Sequence, residues 1–112
     1  MPGRRTPLHG VFHALADPTR LAVLARLSAG PAAVSELAQP FNMALPSFVQ
    51  HLAVLEQAGL LRSRKKGRIR TCELSPRPLK LAQSWLARRR RLWARRLDQL
   101  DAYLLKLKEN RK

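Results

Sequence analysis

The stretch MALPSFVQHLAVLEQAG, Met43 to Gly59, decides how this chain folds. From about Pro46 its apolar residues follow a helical period. Phe48, Leu52 and Leu55 recur at the three-and-four spacing of a buried stripe, with Val49 and Leu45 beside it. Ser47, Gln50, His51 and Val54 project from another face, where short polar groups meet no evident partner in the chain. Gly59 is suited to cap the end. The predicted helix, Pro46 to Ala58, therefore has one side for a core and a polar front for something else.

Charge suggests what that something is. Lys and Arg number 22 against 7 Asp and Glu, a formal net charge of +15. Such an excess attracts polyanions, nucleic acid first and anionic membrane second. The major groove of DNA admits one α-helix and presents donors and acceptors to side chains such as Ser and Gln. The chain has 112 residues, 46% of them hydrophobic, enough for one domain with a core. No apolar run reaches the length of a membrane span. MPGRRTPLHG has no apolar segment after its arginines, so no secretory signal is expected. A single cysteine, Cys72, excludes an internal disulfide framework and fits a reducing cytoplasm.

On the N-terminal side, Thr6-Pro7 predicts a helix start, with Leu8, Val11, Phe12 and Leu15 as its apolar stripe. Asp17-Pro18 repeats the signal, and Leu21, Val23, Leu24 and Leu27 carry a second helix to Gly30-Pro31. Val34 to Gln39 is a short third helix ended by Pro40. On the C-terminal side, Leu60 to Arg64 and Ile69 to Leu74 alternate as strands around Lys65-Lys66-Gly67-Arg68. Pro76 to about Asn110 is one long helix. Leu79, Leu86, Trp93, Leu97, Leu100, Leu104 and Leu107 follow a seven-residue pattern on it, broken by Gln83 and Arg90. The predicted fold is mainly α: a winged helix-turn-helix, residues 8–75, with a two-stranded β-hairpin wing and a long C-terminal helix, residues 76–110.

Four segments carry a family resemblance. FHALADPTR at Phe12 to Arg20, SELA at Ser35 to Ala38, HLAVLEQAGL at His51 to Leu60 and the basic GRIR at Gly67 to Arg70 resemble the ArsR/SmtB winged-helix repressors. The tail, with Trp85-Leu86, Trp93 and DAYL at Asp101 to Leu104, is similar to members with an extended last helix and no evident metal site. The resemblance implies a homodimeric bacterial transcriptional repressor whose first and last helices form the dimer interface. Here those helices supply Leu8, Val11, Phe12, Leu86, Trp93, Leu97, Leu100 and Leu104. Two copies of the helix-turn-helix then face two half-sites about one helical turn apart. The chain departs from the family at Ala33 and Ala44, where many members carry a capping Ser or Thr. Each departure costs about 1 kcal/mol without compensation. Val49 stands where Ser is common, either at the core edge or against a thymine methyl.

The predicted DNA-reading residues are Ser47, Gln50 and His51, with Pro46 at the helix start; Ser47 and Gln50 are suited to base edges, and His51 to a base or a phosphate. The bland alternative for His51 is local packing. Arg64, Lys65, Lys66, Arg68 and Arg70 form a basic wing suited to phosphates or a minor groove, against the alternative of a charged edge that blocks aggregation. Arg88 to Arg91, Arg95 and Arg96 point all round one helix. They are suited to DNA, an anion, Asp98 and Asp101, or a solvated face, and Trp93 is placed for a cation–π contact. His9 and His13 stand four apart, but no ligand set completes a metal site, and His13 is expected in helix packing. Cys72 is expected to be structural, although Arg70 nearby would lower its pKa. No cofactor motif, phosphate loop, serine elbow or carboxylate pair points to an enzyme. The leading expectation is thus a repressor binding double-stranded operator DNA as a homodimer. A protein-interaction or antirepressor module is the alternative, and a membrane-surface helix a weaker third. Operator and effector are not written in the sequence.

Overall fold

The helices form where their punctuation places them. The computed structural model describes residues 7–110. Helix α1 (Leu8–Leu15) follows Pro7, whose carbonyl oxygen accepts from the Gly10 and Val11 N–H groups. Thr6, the expected cap, lies outside the described residues. Helix α2 (Pro18–Leu27) starts as its Asp-Pro pair requires. The Asp17 carboxylate accepts from the Arg20 backbone N–H at 3.0 Å, and Pro18 occupies the first turn. That hydrogen bond, opposed by partial burial, holds the Asp17 carboxyl below the usual carboxylate range.

The sign of the Asp17 effect fixes a pH dependence. A lowered folded-state pKa contributes stability fully above the ordinary carboxylate range, and loses it as pH falls through that range to the lower folded value. Asp17→Asn keeps a capping oxygen without the charge. Near neutral pH it is expected to melt below the parent, with the gap closing as pH falls below about 4. Thermal melts of both proteins across pH check this; a gap that persists in acid sinks the assignment.

Ala32–Ala33 form a short strand, β1, which the sequence pattern did not reveal. Helix α3 (Val34–Ala38) follows directly. Its cap, Ala33, has no side-chain oxygen, but its own N–H donates to Glu36 Oε1 at 3.3 Å. The neighbour therefore supplies one half of a capping box, and the half that a serine side chain would supply is missing. Helix α4 (Leu45–Gln57) contains the opening stretch. Ala44 gives it no side-chain cap. Its C-terminus closes as a Schellman motif. Leu60 N–H donates to Leu55 O and Gly59 N–H to Glu56 O, each at 2.9 Å, with Gly59 at φ 76°. This turn drives Leu60 and Leu61 into the core and starts the wing.

The wing is the hairpin of β2 (Leu61–Lys66) and β3 (Ile69–Leu74). Pairing runs from Leu61↔Leu74 to Lys66↔Ile69, so only Gly67 and Arg68 form the turn. Lys65 and Lys66 were expected in the turn; they extend β2 because Gly67, at φ 63°, closes the hairpin in two residues. β1 adds to the far edge of β3, with Ala32 opposite Cys72, giving the order β1-β3-β2.

Phe48 and Leu55 are fully buried and Leu52 nearly so, as the stripe predicts, together with Val11, Val23, Leu24, Leu27 and Leu37. Phe41, from the turn before α4, lies 5.4 Å from the Phe48 ring centre at 32°, which fastens the helix-turn-helix. Cys72 is in this core. Burial raises its pKa despite Arg70, so it is a structural thiol and not a reactive one.

Helix α5 (Arg77–Glu109) runs unbroken for 33 residues. Residues through Ala82 belong to one compact unit, and Gln83 onward forms a second. Pro78, Leu79 and Ala82 pack on the core of the first. In the second unit every apolar residue of the seven-residue pattern is exposed: Leu86, Trp93, Leu97, Leu100, Leu104 and Leu107. Among the described residues, no helix is long and apolar enough to cross a membrane.

Candidate nucleic-acid interface

Core burial dictates which residues of α4 face outward. With Phe48, Leu52 and Leu55 turned in, Pro46, Ser47 and Gln50 are exposed on one edge. His51 is not free there. Its Nδ1 lies 3.1 Å from Arg20 Nη1 and 3.7 Å from Asp17 Oδ2, and its side chain is 24% exposed. Arg20 is fixed in turn by Ala14 O at 2.6 Å and His13 O at 3.2 Å. The local-packing alternative for His51 thus describes one of its two nitrogens.

The wing cations divide in the same way. Arg64, Lys65, Lys66 and Arg68 are exposed, and none makes an ion pair among the described residues. Arg70 is committed elsewhere. Its guanidinium donates to Ser63 Oγ at 2.9 and 3.0 Å and to Glu56 Oε2 at 3.3 Å. Ser63 Oγ donates to Glu56 Oε1 at 3.0 Å, which closes a triad binding α4 to both wing strands. Arg70 therefore braces the wing against α4, with half of its side chain still exposed. Beside it Val49 lines a small cavity with Val34, Leu52, Ala53, Glu56 and Arg70, at the core edge and 37% exposed.

Other expectations need correction. Val11 is fully buried in the core of its own chain, so its side chain is out of reach of a second copy. Leu8 and Phe12, partly buried against the same core, keep some surface. His13 is exposed, and it is its carbonyl that joins the packing, through Arg20. The cation–π contact expected at Trp93 is made by Trp85, with Arg89 at 5.3 Å. Among the described residues, no group of three His, Cys, Asp or Glu could hold a metal ion.

Sequence reasoning missed Arg20 and Glu56 as site residues. Arg20 stands in the DPTR segment, but its partner is 31 residues away and no periodicity connects the two. Glu56 sits at the polar end of α4, and its partners came into view only with the hairpin register.

A helix-turn-helix domain family matches residues 15–64. The chain is 41% identical over 86 residues to the HTH-type transcriptional regulator Rv2034 of Mycobacterium tuberculosis, covering 77% of this chain and 78% of that protein. It is 32% identical over 79 residues to the transcriptional repressor SdpR of Bacillus subtilis, covering 70% and 88%. A crystal structure of an ArsR family transcriptional regulator shares 56% identity and superposes with a TM-score of 0.75 over 78% of this chain and 90% of the other. With that likeness in both sequence and fold, this chain belongs to the ArsR family of winged helix-turn-helix transcriptional regulators.

Proposed function

We propose that the protein is a DNA-binding transcriptional repressor that acts as a homodimer, with α4 in the major groove and the wing on adjacent phosphates. One observation carries this reading. The exposed edge of α4 bearing Ser47 and Gln50 belongs to the same compact unit as a hairpin with four exposed cations lacking ion-pair partners among the described residues. Phosphate contacts position such a protein, and base contacts give it sequence preference. The exposed stripe on α5 supports a second copy. Leu86, Trp93, Leu97, Leu100 and Leu104 fall within about 60° of arc on a helix of 3.6 residues per turn. Arg88, Arg91 and Arg95 lie on the opposite side of that helix, which suits a solvated face when the stripe is covered.

Selection of bound sites from random DNA, followed by a gel shift with the selected duplex, tests the reading. A discrete complex with two half-sites is expected, and a monomer without specific binding overturns it. Gln50 then reports base reading. A good bidentate pair discriminates by about 1–3 kcal/mol. Gln50→Ala is expected to lose about tenfold or more of the preference at one base pair, while its salt dependence stays that of the parent. Competition with operators altered one position at a time measures both quantities.

A further inference from the structure

The contact between α2 and α4 assigns a role to a residue outside the reading face. Arginine carries only donors and stays protonated. With Arg20 Nη1 3.1 Å from His51 Nδ1, that nitrogen must accept. Asp17 Oδ2, at 3.7 Å, is too distant from Nδ1 to take a proton from it in a hydrogen bond. A neutral imidazole whose Nδ1 accepts carries its proton on Nε2.

We propose that Arg20 is the positioning residue of the reading helix. By holding His51 in the Nε2–H form, it turns that side chain into a fixed donor for a DNA phosphate. The proposal rests on the DNA-binding reading above and deepens it. Arg20 is well placed for this task because its other two contacts go to carbonyls at the end of α1, Ala14 O and His13 O, while its backbone N–H is held by Asp17. The guanidinium is thus immobilised by one helix end and presents its remaining fork to α4. His51 follows Gln50 directly, so a ring held at Nδ1 also fixes the rotation of α4 about its axis and with it the aim of Gln50. The ring keeps 24% side-chain exposure, which leaves an edge accessible to a phosphate. An oxyanion with its charge in the groove wall accepts from such a donor without displacing Arg20.

Long-range nitrogen–proton NMR on the free protein reads the tautomer directly, whether or not DNA binds. The parent is expected to show His51 as the Nε2–H form. Arg20→Gln is expected to show a mixture of tautomers and to bind the selected operator about tenfold more weakly, with Lys in place of Arg only partly restoring both. His51→Asn, which mimics Nδ1 alone, loses the phosphate donor and is expected to bind as weakly as Arg20→Gln. His51→Gln reaches the Nε2 position and is expected to recover part of the affinity. A parent in the Nδ1–H or doubly protonated form overturns the proposal, as does an Arg20→Gln protein that binds like the parent. Should Arg20→Gln fail to fold, as judged by circular dichroism, the parent tautomer and the two His51 variants decide. Failure of the parent to bind any selected duplex would instead overturn the DNA-binding reading, with the tautomer result standing apart from it.

Discussion

Replacing Lys65, Lys66 and Arg68 together by glutamine is expected to weaken operator binding about a hundredfold at moderate salt and to flatten its salt dependence. The three cations are exposed at the end of the hairpin, and none has an ion-pair partner among the described residues to compete with a phosphate. Each phosphate contact releases condensed counterions and adds about 0.9 to the slope of log affinity against log salt. A dimer presents six such cations, so full engagement of all of them corresponds to a slope change of about 5. Non-specific duplex should suffer as much as operator, because phosphates carry no sequence information. Arg62→Gln is the control. Arg62 stands on the same strand, 4.0 Å from Glu73, and an exposed pair of that kind contributes about 0–1 kcal/mol. Fluorescence anisotropy over a series of salt concentrations measures slope and affinity together. Parallel lines for parent and triple variant would remove the wing from the interface. Arg70→Gln should behave differently again. Its loss frees Glu56 and Ser63 and loosens the wing against α4, so affinity falls with less change of slope than the triple variant shows.

That contrast marks what the sequence could and could not reveal. The stripe of Phe48, Leu52 and Leu55 was legible because helical period is a local property, and each of the three is buried as expected. The hairpin was legible from alternation around Gly67, within two residues of its observed end on β2. β1 was not, because two alanines carry no alternation and pair only by virtue of the free edge of β3. The basic wing was legible as a count of charges. Which cation stays free depends on Glu56, fourteen residues from Arg70 in sequence but one hydrogen bond away in space. The same holds for His51, where DNA contact and local packing are equally open in the sequence and only the fold brings Arg20 within 3.1 Å of Nδ1. Val11 failed as an interface residue for the opposite reason. An apolar stripe shows that a helix buries one face, but not whether its own core or a second copy covers it.

On α5 the stripe is exposed, which supports a second copy as its cover and sets up the largest effect expected of any substitution. Leu97 and Leu100 are 56% and 50% exposed and lie in the unit beyond Ala82. Fully burying a leucine contributes about 1.5–3 kcal/mol, and about half of that is available at these half-exposed positions, so the four copies in a dimer supply about 3–6 kcal/mol. Leu97→Asp with Leu100→Asp removes that term and places four carboxylates in the seam. The dimer dissociation constant is expected to rise by at least about two orders of magnitude. Sedimentation or light scattering should then find a monomer at micromolar protein. Linking two reading helices raises apparent affinity about 10²–10⁴-fold over one alone, so operator binding should fall by that factor as well. Some helical signal should be lost with it, because a helix end without a covering partner is marginal in water. The core around Phe48 should still melt cooperatively. Leu105→Asp supplies the control: Leu105 is 62% exposed on the same helix, about 100° round from Leu104, and outside the stripe. It carries the helix-propensity penalty and the charge of either single substitution of the pair, so a dimer lost by both variants would argue against a seam along Leu97, Leu100 and Leu104. A dimer kept by Leu105→Asp and lost by the pair would fix the seam to that face.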